Sequence, residues 1–214
     1  MAFYRALNFL FPQYCRICGK QYKEDLCENC YLRLKRFEDF HRINYENRYL
    51  NSLIYFFKYK NDIRKLILEF KFFNKFYLAK VFSKIMLKNE KLCGIFKFYD
   101  IIISVPMHKN KLKMRGYNQA ELLALELAEN SGLEHDKNIL IKIVNNKRQS
   151  SLSEKERYEN IKNVFKIQKP DKIKDKNVIL VDDICTTSAT LEECAKTLKQ
   201  AGAKKVIALV IAKD

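Results

Sequence analysis

Two adjacent carboxylates, Asp182 and Asp183, end a run of aliphatic residues in the stretch VILVDDICTTSAT and lead straight into a segment rich in hydroxyl groups. Unbroken aliphatics describe a strand covered on both faces, where a charged pair is costly to bury, so the acids belong at its exposed carboxyl end. Thr186, Thr187, Ser188 and Thr190, with Cys185 and Ala189 among them, then surround a helix start. Free backbone N–H groups, hydroxyls and the positive end of a helix dipole converge there, which is chemistry for a phosphate. Like charge bars the acids from holding that phosphate, but they can accept hydrogen bonds from the vicinal hydroxyls of a ribose. A phosphate cradle beside a diol-reading pair describes a pocket for a ribose 5-phosphate group. Simple helix capping would account for one hydroxyl and leave the others and both acids without a role.

A second constellation is built from sulfur. In CRICGKQYKEDLCENC, Cys15 and Cys18 form one CxxC, eight residues follow, and Cys27 and Cys30 form another. Each CxxC turn aims two thiolates at one point, and the hairpin between them brings the turns together as a tetrahedral cage for structural Zn2+. Four thiolates close the site, which leaves no open position for catalysis by the metal. Unligated thiols and an iron–sulfur cluster are the alternatives. Arg16, Lys20, Lys23, Arg33, Lys35 and Arg36 ring the knuckle and suit nucleic-acid contact, although a small fold that uses metal in place of a core explains the knuckle equally well.

Strands and helices must carry these groups, and the second half of the chain supplies them. Ile101–Pro106 reads as a buried strand, Asn118–Gly132 as a helix with a glycine stop, and Ile139–Val144 as another strand. Val178–Val181, Ser188–Gly202 and Lys205–Ala212 then make a strand–loop–helix–strand unit. Such units build parallel sheets with ligands at the carboxyl ends of their strands, the address of the acid pair. Before them, from about Leu53 to Phe98, the chain is dense in aromatics and lysine; apolar spacing from Ile63 to Phe82 suggests two amphipathic helices. From Lys58 to Lys91 ten basic residues face three acidic ones. Cations interleaved with rings suit single-stranded nucleic acid, and Lys58, Lys60, Lys71, Lys75, Lys109, Lys111, Lys113 and Arg148 are the candidate DNA-binding residues. An aromatic stripe at helical spacing also suits a core.

Composition bounds these readings. With 214 residues and 48% hydrophobic content the chain can bury a core of one full domain plus a smaller one. Its net charge of +16 favours anionic partners, nucleic acid first, although lysine enrichment also follows from an AT-rich genome. No apolar run approaches the length of a membrane span, and the start, MAFYRALNFLFPQYC, reads as a short amphipathic helix rather than an export signal. Seven cysteines, an odd number, fit a reducing cytosol.

The stretch VILVDDICTTSAT resembles the phosphoribosyl-diphosphate motif of type I phosphoribosyltransferases, with Ser188 standing where many members have glycine. Three further stretches narrow the resemblance to the ComF family of natural-competence proteins: the four-cysteine knuckle, VPMHKNKLKMRGYNQAELLA and KRQSSLSEKERYENIKNVF. That resemblance implies an α/β fold of the type I phosphoribosyltransferase kind, a Rossmann-like parallel sheet flanked by helices, with a small N-terminal zinc-finger domain. It assigns the ribosyl phosphate to Asp182, Asp183 and Cys185 through Thr190. The diphosphate side falls to Ser104, Val105, Pro106, Met107 and His108, followed by Arg115. Mg2+ would accompany phosphoribosyl diphosphate. The implied division is residues 1–40 for the amphipathic start and zinc finger, 41–98 for a basic, aromatic helical hood, and 99–214 for the transferase-like domain. The implied role is handling of incoming single-stranded DNA in the cytoplasm, near the inner-membrane uptake site, with a ComF-type helicase and a recombinase-loading protein as partners. Catalytic residues stay unassigned, and two other readings stay open: a working phosphoribosyltransferase of nucleobase salvage, and a zinc-dependent adaptor with a vestigial pocket.

Overall fold

The strands with the most continuous aliphatic content, β7 (Asn177–Cys185) and β8 (Lys205–Lys213), lie side by side in parallel at the middle of the molecule. The computed structural model describes residues 14–145 and 159–214. Before them in the chain come α1 (Glu28–Lys35), β1 (Glu38–Asn44), β2 (Ser52–Lys58), α2 (Asn61–Phe72), α3 (Leu78–Leu87), α4 (Glu90–Phe96) and β3 (Ile101–Ser104). Next are α5 (Lys109–Arg115), α6 (Gln119–Ser131), β4 (Glu134–His135), β5 (Leu140–Lys142) and β6 (Phe165–Ile167), with α7 (Ala189–Gln200) joining β7 to β8. The main sheet has the order β1-β2-β8-β7-β3-β4, parallel throughout except for the antiparallel edge pair β1–β2.

Alternation along β7 decides which helix covers which face. Ile179 and Val181 point to one side, where they pack with Ile67, Phe70, Phe82 and Leu127 of α2, α3 and α6. Val178 and Leu180 point to the other, against Leu191, Cys194 and Leu198 of α7. A parallel sheet needs cover on both faces, and this arrangement gives it. Cys194 of α7 is fully buried in this packing.

Three expectations change. The segment 41–98 is not helical throughout: Leu53–Phe57 is an apolar, aromatic run that enters the main sheet as β2, paired to β8. Ile139–Val144 contributes only the short β5, which pairs antiparallel with β6 in a separate ribbon instead of joining the parallel series. Finally, β7 continues past the acids to Cys185, so Asp183 lies inside the strand at 5% exposure rather than beyond it. The four-cysteine knuckle packs onto this core. Leu26, Cys27, Cys30 and Leu34 belong to the same core cluster as Phe70 and Phe82, and Lys80 and Lys84 of α3 pair with Asp25 and Glu24 at 2.8 and 3.3 Å. Among the described residues no helix is long and apolar enough to cross a membrane. The amphipathic start lies outside them up to residue 13.

Candidate ribosyl-phosphate pocket and four-cysteine centre

Strand β7 delivers the acid pair to the floor of two adjoining cavities, of about 210 and 400 Å3. One is walled by the turn from Asp182 through Thr190 and by Asp214; the other by Val105, Pro106, Met107 and His108, with Lys111, Arg115 and Lys142. Lys71, Asp182, Asp183 and Thr190 line both, so the two halves meet at the acids. Expected residues of both sides are thus brought together, with one exception. Ser104 is buried beneath the loop and opens instead on a neighbouring cavity beside Lys109 and Lys142.

Local chemistry explains each placement. Val105 is pinned on two sides: its N–H donates to the Val181 carbonyl at 2.8 Å, and its carbonyl accepts from Asn118 Nδ2 at 3.0 Å. His108, buried and not solvated, caps α5 by accepting the Asn110 N–H at its Nδ1. Ser188 sits at φ 63°, ψ −2°, the left-handed region that glycine enters without steric cost. Its hydroxyl lies 3.2 Å from the buried Cys185 Sγ, and burial raises that thiol above its ordinary range. Burial, followed by the neighbouring Asp183 charge, pushes Asp182 up to about 7, and its Oδ1 accepts the Asp183 N–H at 2.8 Å. Burial, followed by the charge of Lys111, brings Lys142 down to about 8.

Sequence reasoning missed Lys71 as a pocket residue. The sequence places it among the candidate DNA-binding residues, but its Nζ stands 3.0 Å from Asp183 Oδ1 and the side chain is 19% exposed. Helix α2 carries it there, and the motif RGYNQ at 115–119 fixes that helix end: Tyr117 Oη and Gln119 Nε2 both donate to the Phe70 carbonyl, while Arg115 donates to Gln119 and stacks on Phe72. Other expected DNA contacts are also engaged, since Lys75 pairs with Glu69 at 2.9 Å and Lys58 with Asp39 at 3.5 Å. Lys60, Lys109 and Lys113 are exposed, Lys111 faces the cavity, and Arg148 lies outside the described residues. Exposed rings near these lysines include Phe72, Phe73 and Phe76, at 63%, 67% and 60%. Phe76 meets Tyr117 edge-on at 6.4 Å, and Arg115, which lines the smaller cavity, stacks over Phe72 at 5.2 Å. Phe73 lines an apolar groove of about 350 Å3 with Arg64, Lys65 and Lys75.

The four thiols converge as their spacing requires. Their sulfurs lie within 4.8 Å of one another, and Cys18 and Cys27 are 3.8 Å apart, close to the edge of a tetrahedron of zinc–sulfur bonds. Burial raises the Cys15 thiol, but the N–H groups of Cys27, Cys18 and Ile17 outweigh it and bring it down to about 6. Cys30 moves the opposite way, raised by burial and by the adjacent sulfurs. A dication at the centre is what lets all four ionise together, so the cluster can hold a metal such as zinc.

The phosphoribosyl transferase domain family matches residues 112–214. Competence protein F of Haemophilus influenzae is 30% identical over 202 residues, covering 92% of this chain and 82% of that one. The chain belongs to the ComF family. Competence protein ComFC of Streptococcus pneumoniae is a further relative, 27% identical over 197 residues, 90% of this chain and 77% of its own. DNA utilization protein YhgH of Escherichia coli K12 is 28% identical over 152 residues, 69% of this chain and 66% of that protein. The cavities, acid pair and hydroxyl turn of this ComF chain thus occur in a fold of the phosphoribosyltransferase type, α/β with a mostly parallel sheet. The cysteine cluster sits at its N-terminal end.

Proposed function

We propose that the protein handles single-stranded DNA entering the cytoplasm during natural transformation and binds a ribosyl phosphate, that of phosphoribosyl diphosphate or of DNA, in its central pocket. The observation that carries this reading is the meeting of two cavities at Asp182 and Asp183, with the exposed Phe72 stacked on Arg115 of the smaller one. In the larger cavity the 186–190 turn presents N–H groups and hydroxyls to a 5-phosphate, and the acids accept from the ribose hydroxyls. In the smaller one Lys111, Arg115 and Lys142 attract a second anionic group. Phe72, Phe73 and Phe76 offer stacking platforms to unpaired bases. The metal of the cysteine cluster is zinc, held for structure. A helicase and a recombinase-loading protein of the uptake machinery are the proposed partners.

The residues present do not fit Mg2+ as a resident cofactor. Asp183 is already paired to Lys71, and the smaller cavity, which faces the diphosphate side, is lined by four cationic side chains, Lys71, Lys111, Arg115 and Lys142, against two carboxylates. The direct test is calorimetry with ribose 5-phosphate and phosphoribosyl diphosphate on zinc-loaded protein. Saturable binding to one site per chain is expected, lost in the Asp182→Ala, Asp183→Ala double variant with zinc content unchanged. Absence of binding to the wild-type protein would leave the pocket vestigial and favour the zinc-dependent adaptor.

A further inference from the structure

Lys71 carries the furthest inference, which rests on the ribosyl-phosphate reading and deepens it. Its ammonium reaches Asp183 Oδ1 at 3.0 Å in a pair whose side chains are 19% and 7% exposed, and it lines both halves of the cavity. A cation there stands where the diol of a bound ribose and an anionic group on the adjoining carbon would come together. In a pocket designed around a divalent ion, that place is held by the ion, which needs several hard oxygen ligands and few positive neighbours. The smaller half of this pocket has the opposite lining, with Lys71, Lys111, Arg115 and Lys142 against Asp182 and Asp183. Asp182 and Asp183 are the carboxylates that both halves share, and among the described residues the cysteines form the only group of three or more metal-ligating side chains.

The aim of Lys71 is also fixed from behind. The Phe70 carbonyl, one of those left without a partner at a helix end, accepts from Tyr117 Oη and from Gln119 Nε2 at 3.1 Å. Arg115 closes the clamp by donating to Gln119 Oε1 at 2.7 Å and stacking over Phe72 at 5.2 Å. The motif RGYNQ therefore positions the helix end that carries the lysine, besides contributing Arg115 to the cavity wall.

We infer that Lys71 takes the part of the divalent cation, bridging the acid pair to the anionic side of the ligand, so that the pocket binds ribosyl phosphates without Mg2+. The test is calorimetry in buffer freed of divalent cations by chelating resin, repeated with Mg2+ added. Ribose 5-phosphate and phosphoribosyl diphosphate are the probes, and zinc content is measured on every sample. Wild-type affinity for both should change by less than about threefold on adding Mg2+, whereas Lys71→Met should bind about tenfold or more weakly without Mg2+ and recover part of the loss with it. Lys71→Arg should keep the Mg2+-independence, which a merely structural role for the side chain would not require. A tenfold or greater gain from Mg2+ in the wild-type protein, or unchanged affinity in Lys71→Met, overturns the inference while leaving the ribosyl-phosphate pocket standing. No binding under either condition overturns both.

Discussion

Cys27→Ser protein is expected to be purified without its zinc and to be less stable than the wild-type chain by about 3–5 kcal/mol, because metal binding and folding of the knuckle are one equilibrium. The loss should reach well beyond the N-terminal residues. Cys27 and Cys30 share a core cluster with Phe70 and Phe82 under the main sheet, and Asp25 joins the hairpin to Lys80 of α3 at 2.8 Å. Burial raises the Asp25 carboxyl, but the hydrogen bond and charge of Lys80, with Arg16 and Lys84, outweigh it and hold it below its ordinary range. Its contribution is therefore present at neutral pH and lost as the pH falls through the lowered folded value. Elemental analysis and denaturant unfolding of the two proteins check the prediction. A folded wild-type protein free of metal would refute it.

Asp182→Asn is expected to stabilise the fold and disable the pocket. Burial and Asp183 raise Asp182 to about 7, so between the unfolded value near 3.8 and that figure the folded chain holds a proton that the unfolded chain has released. Stability from this group therefore falls as pH rises through the window and is fully reduced above it. Asparagine removes the charge yet keeps an oxygen to accept the Asp183 N–H. The variant should gain on the order of 2 kcal/mol at pH 8, half or less of the unscreened figure because the side chain is partly exposed, and almost nothing at pH 4. Ribose 5-phosphate binding should fall by tenfold or more, since the charged acceptor of the diol is gone. Urea unfolding at the two pH values, beside calorimetry, distinguishes this from a structural lesion, which would lower stability at both.

Local chemistry made much of the site legible. The acid pair and hydroxyl turn occupy consecutive positions on β7 and the start of α7, so their convergence needs no long-range information. The paired CxxC turns likewise carry their own geometry. What escaped the sequence depends on partners distant in the chain. Leu53–Phe57 looks like the prelude to a helical region until β8 is beside it, because a short apolar run fits a helix or a buried strand equally well. Lys71 looks like its neighbours in a basic segment, and only the packing of α2 on the RGYNQ turn aims it at Asp183. The same packing withdraws Phe70 into the core while leaving Phe72, Phe73 and Phe76 outside, a distinction that helical spacing alone does not make. Lysine density also overstated the basic face, since Lys58, Lys75, Lys80 and Lys84 are each paired with a carboxylate.

The central claim, a pocket protein that holds incoming single strands, is tested most directly by titrating a labelled single-stranded oligonucleotide at several salt concentrations against wild-type protein and the Phe73→Ala and Phe76→Ala variants. Both rings are exposed, so folded variants are expected, with circular dichroism as the check. Binding without strong sequence preference is predicted, weakening steeply with salt as counterions are released. Each lost ring should cost about 1–3 kcal/mol with the salt slope unchanged, because stacking and charge contribute separately. No binding at low salt, together with conversion of a nucleobase to its nucleotide by the same sample, would contradict the account and identify a salvage transferase instead.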